Sequence, residues 1–380
     1  MKFAHQAVHS GTDTVELKRR WARRVSNLRP LACEASALPL SYAPWTAAKS
    51  SLARVAPVKV TVTGGAGYIG AGTVEELQDA GHEVRILDVL LHEDQAEVAE
   101  ALQARGAELI PGDIRDASVR ERALAGADAV VHLAAIVGDP ACARDPELSQ
   151  DVNVEGSRAV VADAQAAGVS RFVFASTCSN YGRMADPTVP VTEDGVLAPL
   201  SLYAEQKVGI ERALLDGGFG ELKPTCLRFA TVYGAAPRMR FDLTVNEFTR
   251  DLWSERELEV FGEQFWRPYV HVRDAGRAVR LALEAPVEEV AGDVFNVGHS
   301  EENYRKLDLV ELITERLGRG DVKFVSRDED PRDYKVGFEK IRDRLSFEPE
   351  MRVPDGIDEI VRQLEQGRFG DPFRRRFSNI

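Results

Sequence analysis

From Val58 onward the chain alternates short apolar runs with longer stretches whose apolar residues recur at helical spacing. The first run, Val58 to Val62, turns through glycines into a stretch that carries Ile69, Val74 and Leu77 and ends at Gly81; a second run, Glu83 to Leu87, stops at Asp88. Runs of this length, bounded by turn residues, read as buried strands, and the spaced stretch reads as a helix with a glycine C-cap. The alternation continues through "AELIPGDIRD", "DAVVHLAAIVG", "SRFVFAST" and "KPTCLRFATVYG", a third to a sixth strand, with helical segments such as 151–168 between them. Repeated strand–helix alternation predicts an α/β fold with a doubly wound parallel sheet of Rossmann type. In such sheets ligands gather at the carboxyl ends of the strands.

The pattern fades on both sides. After Tyr233 it becomes less regular, through "RMRFDLTVNEFTRDLW", "ELEVFGEQFWRPYVHVRD" and "DEDPRDYKVGFEKI". Before Val58 there is no alternating strand and one arguable helix, Val15 to Leu28. That tract is Arg-rich and poor in acids, as a transit peptide is, but has no clean amphipathic pattern. Its "RVSNLRPLACEASALPLSYAP" looks like the peptide obtained when a transfer-RNA gene is translated as protein. The expectation for residues 1–56 is an upstream start-site error, with the true start near Val55 or Val58, or else a disordered arm. The fold should begin at about Val58.

Composition narrows the class. At 44% hydrophobic and 29% charged, the 380 residues match a globular protein large enough for one big α/β unit or two domains. No apolar run approaches the ~20 residues a membrane span requires. Cys33, Cys142, Cys178 and Cys226 form no CxxC pair, which favours a reducing, cytoplasmic setting over a disulfide framework, and the scattered histidines give no support to a metal site. The net charge of −13 is uneven: nine Lys/Arg face three Asp/Glu through Pro57, leaving 39 against 58 beyond it. An acidic body argues against nucleic acid as partner and makes its isolated basic residues candidate anion ligands.

The chemistry sits at the predicted strand ends. Gly64, Gly67 and Gly70 form GxxGxxG between the first strand and helix, where glycines permit a tight turn and backbone N–H groups can meet a pyrophosphate at a helix N-terminus. Asp88 closes the second strand, where a carboxylate bonds both ribose hydroxyls and repels a 2′-phosphate, so the implied cofactor is NAD rather than NADP. Asp113 and Ile114 end the third strand, where an adenine can lie. The fifth strand ends in Ser176-Thr177, and downstream Tyr203 and Lys207 stand at i and i+4 on a predicted helix. There Lys207 can lower the phenol pKa, letting Tyr203 exchange a proton with a hydroxyl that Thr177 also holds.

From Val58 to about Arg362 the chain resembles the extended short-chain dehydrogenase/reductases, in their NAD-dependent nucleotide-sugar epimerase/dehydratase family. The resemblance rests on "TGGAGYIG" (63–70), "GDIRD" (112–116), "VVHLAA" (130–135), "NVEGS" (153–157), "STCSNYG" (176–182), "YAEQK" (203–207), "LRFATVYG" (227–234), "RPYVHVRDAGRAV" (267–279) and "FNVG" (295–298). It implies a Rossmann domain over 57–232 and a smaller C-terminal α/β substrate domain over 233–375, with part of 267–285 returning to the first. It implies Tyr203 as general acid/base, Lys207 orienting Tyr203 and the nicotinamide ribose, and Thr177 bonding the reacting hydroxyl. Tyr68, Ile69, Leu133, Ala134 and Ala135 join the cofactor set. Arg267 and Arg332 match arginines on the substrate diphosphate, for which the guanidinium fork suits. A homodimer through helices at about 152–167 and 203–216 is also implied.

The departures bear on the reaction. Sugar 4,6-dehydratases of the family carry Thr-Asp-Glu, and decarboxylating members carry a glutamate two places after the Thr; this chain has Thr177-Cys178-Ser179. The resemblance therefore implies 4-epimerisation of a nucleotide-diphosphate sugar through a 4-keto sugar. A 4-dehydrogenase/ketoreductase or an atypical dehydratase is the alternative, and a non-catalytic dinucleotide sensor the second. Cys178 and Ser179 are expected at the sugar, Cys178 as a small pocket-lining side chain or a proton donor. Thr231 stands where the family often has Asn. Asn246 has two open roles, phosphate contact or helix cap. Asp139 and Cys142 border the sugar as lesser candidates; Asn153 is a site or structural residue, Tyr181 packs, and Asp274 caps the helix after "YVHVR" with His271 structural.

Overall fold

The apolar runs become the strands of one parallel sheet. The structure is a computed structural model that describes residues 56–326 and 332–379; the tract through Val55, with its arguable helix, lies outside the described residues. Through the first half run β1 (Lys59–Thr63), α1 (Tyr68–Asp79), β2 (Glu83–Asp88), α2 (Gln95–Ala104), β3 (Glu108–Pro111), α3 (Ala117–Leu124) and β4 (Ala129–His132). There follow α4 (Asp139–Arg144), α5 (Pro146–Gln150), a π turn (Asp151–Gly156), α6 (Ser157–Ala166), β5 (Arg171–Thr177), α7 (Leu202–Leu215) and β6 (Lys223–Phe229). The second half adds β7 (Thr231–Tyr233), α8 (Thr244–Trp253), β8 (Leu258–Val260), β9 (Trp266–His271), α9 (Val272–Glu284), α10 (Val287–Val290) and β10 (Asp293–Val297). It closes with β11 (Asn303–Arg305), α11 (Lys306–Leu317), β12 (Val322–Phe324), α12 (Glu339–Leu345) and α13 (Val353–Glu365).

Among the described residues the main sheet has seven strands in the order β10-β6-β5-β4-β1-β2-β3. Every pair in it is parallel. Val60, Val62, Val130, Val131, Phe172 and Phe174 are buried, as strands covered by helices on both faces must be. The order reverses between β1 and β4, so a crevice opens at their carboxyl ends.

Four details differ from the sequence expectation. The sixth predicted strand breaks after Phe229: β7 leaves the main sheet and pairs with β9, which also pairs with β11. The 151–168 helix is split by the π turn, which carries Asn153. The return of the C-terminal half reaches past 285, because β10 adds itself beside β6. The N-cap of α9 is His271, not Asp274: the His271 ring nitrogen accepts from the Arg273 N–H. Asp274 lies inside the helix, and its carboxylate accepts from the Glu350 and Met351 amides, so it ties α9 to the entry of α13 rather than capping α9.

Candidate active site

One cavity of about 930 Å³ runs along the carboxyl ends of the strands and into the C-terminal half. The predicted residues Gly64, Gly67, Tyr68, Ile69, Gly70, Asp88, Asp113, Ile114, Leu133, Ala134, Ala135, Thr177, Ser179, Tyr203, Lys207, Thr231, Arg267 and Arg332 all line it. Cys178 and Asn246 do not.

The nucleotide end is shaped by absent side chains. Gly64 has φ +72°, and a Cβ there would stand 2.8 Å from the Ala134 nitrogen; at Gly70 a Cβ would stand 2.1 Å from the Gly64 carbonyl oxygen. Only glycine lets β1 turn this tightly into α1. Gly67, the N-cap, offers no side chain to the first amides of α1, which leaves them for an anion. Asp88, buried at the end of β2, accepts from the Ala66 N–H at 3.0 Å and the Leu90 N–H at 2.9 Å, which aims its carboxylate at the turn. Asp113 is held by Arg115 at 2.6 Å beside Ile114. A dinucleotide fits this cradle: phosphates on the open amides, ribose on Asp88, adenine against Ile114.

The chemical end is built by β5 and α7. Thr177 ends β5 and accepts from the Ser179 N–H at 3.1 Å. Ser201 caps α7, accepting from the Ala204 N–H, and the helix then presents Tyr203, Lys207 and Glu211 four residues apart on one face. Lys207 Nζ donates to the Ala175 carbonyl at 2.8 Å and lies 5.9 Å from the Tyr203 ring centroid. Burial pushes the lysine down to about 8. The expected lysine-driven acidification of Tyr203 does not appear. Burial pushes the phenol above its ordinary range, with the Cys142 thiol and Asp139 carboxylate adding in the same direction and Arg240 opposing them. A phenol in a desolvated site with only Arg240 opposing the shift holds its proton.

Behind this wall lies a buried polar network. Glu211 accepts from Arg228 at 2.6 Å and from Ser176 at 2.6 Å, and Arg228 also donates to the Tyr181 hydroxyl at 2.8 Å. Cys178 belongs to this network rather than to the pocket. It is 1% exposed and its thiol donates to the Arg228 carbonyl, so the 3-10 turn after Thr177 rotates it away from the sugar side. Burial raises that thiol well above the usual range, which suits packing and not proton donation. Tyr181 is fully buried and donates to Asn296, as a packing residue would. Asn153 clamps the loop after β4, accepting from the Ile136 N–H and donating to the Ile136 carbonyl and to Gln206.

The cavity's far wall comes from the C-terminal half. Arg332 reaches across to Asp139 at 3.0 Å and donates to the Ser179 hydroxyl at 3.3 Å. Arg267 donates to the Trp266 and Arg332 carbonyls and stacks on Tyr334, which fixes both arginine segments at one place. Asn246, 0% exposed, accepts from the Gly234 N–H and donates to the Tyr68 hydroxyl and the Arg240 carbonyl. Its amide is spent inside the fold, so it is neither a phosphate ligand nor a cap. Arg238 and Arg240 also line the cavity near Asp88, and sequence reasoning passed over them. The signal was present in "PRMR", two cations in an otherwise acidic body.

A model of the NAD dependent epimerase/dehydratase family matches residues 60–298. The chain is 30% identical to the UDP-glucose 4-epimerase of Lactobacillus helveticus over 80% of this chain and 95% of that one. Its fold is similar to a UDP-glucose 4-epimerase structure from Thermotoga maritima with UDP-glucose (TM-score 0.71, 28% identity, 81% of this chain and 99% of that one). It is likewise similar to a dTDP-glucose 4,6-dehydratase structure from Streptomyces venezuelae with NAD bound (TM-score 0.74, 27% identity, 83% and 100%).

Proposed function

The chain belongs to the NAD-dependent epimerase/dehydratase family, and from that premise we propose that it is a 4-epimerase of a nucleotide-diphosphate sugar. NAD is its cofactor; when bound, NAD supplies a hydride acceptor and donor beside a positively charged ring. Tyr203, in its phenolate form, takes the proton of the sugar 4-hydroxyl to become the neutral phenol and later returns that proton from the same oxygen. Thr177 accepts from or donates to that hydroxyl, and Lys207, fixed on the Ala175 carbonyl with its Nζ 5.9 Å from the Tyr203 ring centroid, orients the nicotinamide ribose beside the phenol. Arg332 and Arg267 hold the diphosphate. Pairing into a homodimer through α6 and α7, in the cytoplasm, completes the proposal.

The observation that carries the reading is the segment after Thr177. Neither side chain in the two following positions is an acid, Cys178 is turned into the core, and Ser179 faces Arg332. Hydride transfer and one hydroxyl proton need nothing more; elimination of water needs further proton carriers. One observation favours an atypical dehydratase as second reading: Asp139 is a carboxylate on the cavity wall, close enough to raise the Tyr203 phenol. A 4-dehydrogenase would use the same residues as the epimerase. Incubation of NAD-loaded enzyme with UDP-, GDP-, dTDP-, CDP- and ADP-sugars separates the three. An isomer of unchanged mass without net reduced cofactor is the expected result; a product lighter by one water supports elimination, and stoichiometric reduced cofactor supports the dehydrogenase.

A further inference from the structure

Beyond α13 the chain turns back toward the nucleotide end of the cavity. Phe369 and Phe377 stand edge-on to Phe241, with ring centroids at 5.1 and 5.6 Å. Met239, Ile360 and Leu364 are buried in the same cluster, and the Arg250 guanidinium covers both Phe241 and Phe373. Backbone bonds fix the register: the Phe241 N–H donates to the Phe377 carbonyl at 2.8 Å, and the Asn379 N–H donates to the Asp242 carboxylate at 3.0 Å. The 238–242 loop is therefore clasped by the tail. That loop carries Arg238 and Arg240, and both of them and Asn379 form part of the cavity wall.

Arg238 is the residue the clasp acts on. It is 2% exposed, and one of its terminal nitrogens donates to the Asn379 side chain at 2.7 Å. Its Nε points toward Asp94 Oδ1 at 3.6 Å, beyond hydrogen-bond range, and neither atom has a hydrogen-bond partner. Asp94 lies six residues beyond Asp88, and the Arg238 charge reaches the Asp88 carboxylate. A buried guanidinium, held by Asn379 and facing Asp94, thus lines the cavity within electrostatic reach of the strand end at Asp88. A guanidinium fixed on the cavity wall can meet an anionic ligand there with a charge-assisted hydrogen bond.

We propose that the C-terminal tail is part of the cofactor site: residues 369–379 hold Arg238 against the adenosine-diphosphate half of NAD, so the tail sets how tightly and how long NAD is kept. The inference rests on the NAD assignment and not on which sugar reaction follows. The clasp supplies a hold on the cofactor that the βαβ cradle alone does not.

The test is a double-mutant cycle on the full chain, read by NAD titration calorimetry and by the rate of NAD release, with thermal melting as a check on folding. Arg238→Leu should raise the NAD Kd by about tenfold, the scale of one charged hydrogen bond. Asn379→Ala, which leaves the aromatic cluster intact, should raise Kd and release rate several-fold, and should add little once Arg238 is already Leu. A tail that only stabilises the fold would lower the melting temperature with Kd unmoved. An unchanged Kd in Asn379→Ala, or fully additive effects of the two substitutions, would overturn the proposal.

Discussion

Single residues carry the chemistry, and their surroundings decide what each can do. The Tyr203 phenol, desolvated on the cavity wall, is proton-holding before ligands arrive, so its turnover role depends on charge brought to it. Tyr203→Phe should lower kcat by about 100-fold or more, the scale of a positioned acid/base, in a steady-state assay of sugar interconversion; a near-normal rate would remove it from the mechanism. Lys207 has the opposite problem, since burial brings it down to about 8 and its useful form is the ammonium. That form dominates below this value and is lost above it, so kcat/KM should fall as pH rises through about 8. A profile flat well beyond that value would contradict a charged Lys207. Glycine spacing, Asp88 and the Tyr203/Lys207 pair were legible as cavity positions because each is a local pattern at a strand end or on one helix face. Cys178 and Asn246 were not, because the direction of a side chain near a turn depends on partners distant in sequence: Arg228 for one, Gly234 and Tyr68 for the other. Arg238 escaped for the same reason, as its partner Asn379 is far along the chain.

At the scale of elements, α7 joins the cavity wall to the buried polar network. Its cavity face offers Tyr203 and Lys207, and one turn further Glu211 enters the buried network under β5. A charged residue on a helix reads from sequence as solvent-facing, so only the neighbouring Arg228 of β6 reveals its use. Both members of the pair are nearly inaccessible to solvent, at 4% and 1% of the side chain. Removing one charge leaves the other uncompensated, and Glu211→Gln should cost about 3–5 kcal/mol, read as a lowered denaturant midpoint. An unchanged midpoint would show the network to be dispensable. The strands were legible as apolar runs, with one exception of principle: β6 and β7 form one run in sequence, and the switch of β7 to a second sheet is set by β9, far downstream.

The whole molecule divides as its patterning does, regular up to Tyr233 and irregular after it, yet the second half is not simply appended. α9 packs on α1, β10 extends the main sheet, and the tail returns to the 238–242 loop. Long-range returns of this kind leave no periodic trace and stay hidden from a linear reading. Their effect is to bring Arg332 and Arg267 over a cradle made by the first half, so that both halves line one cavity. The central claim is that this shared cavity removes hydrogen from the sugar's C4 and gives the same hydrogen back. NAD-loaded enzyme should therefore convert a nucleotide sugar deuterated at C4 into its 4-epimer with the deuterium still on C4 and none exchanged with water. Deuterium lost from the sugar, or moved to another carbon of a dehydrated product, would contradict the account.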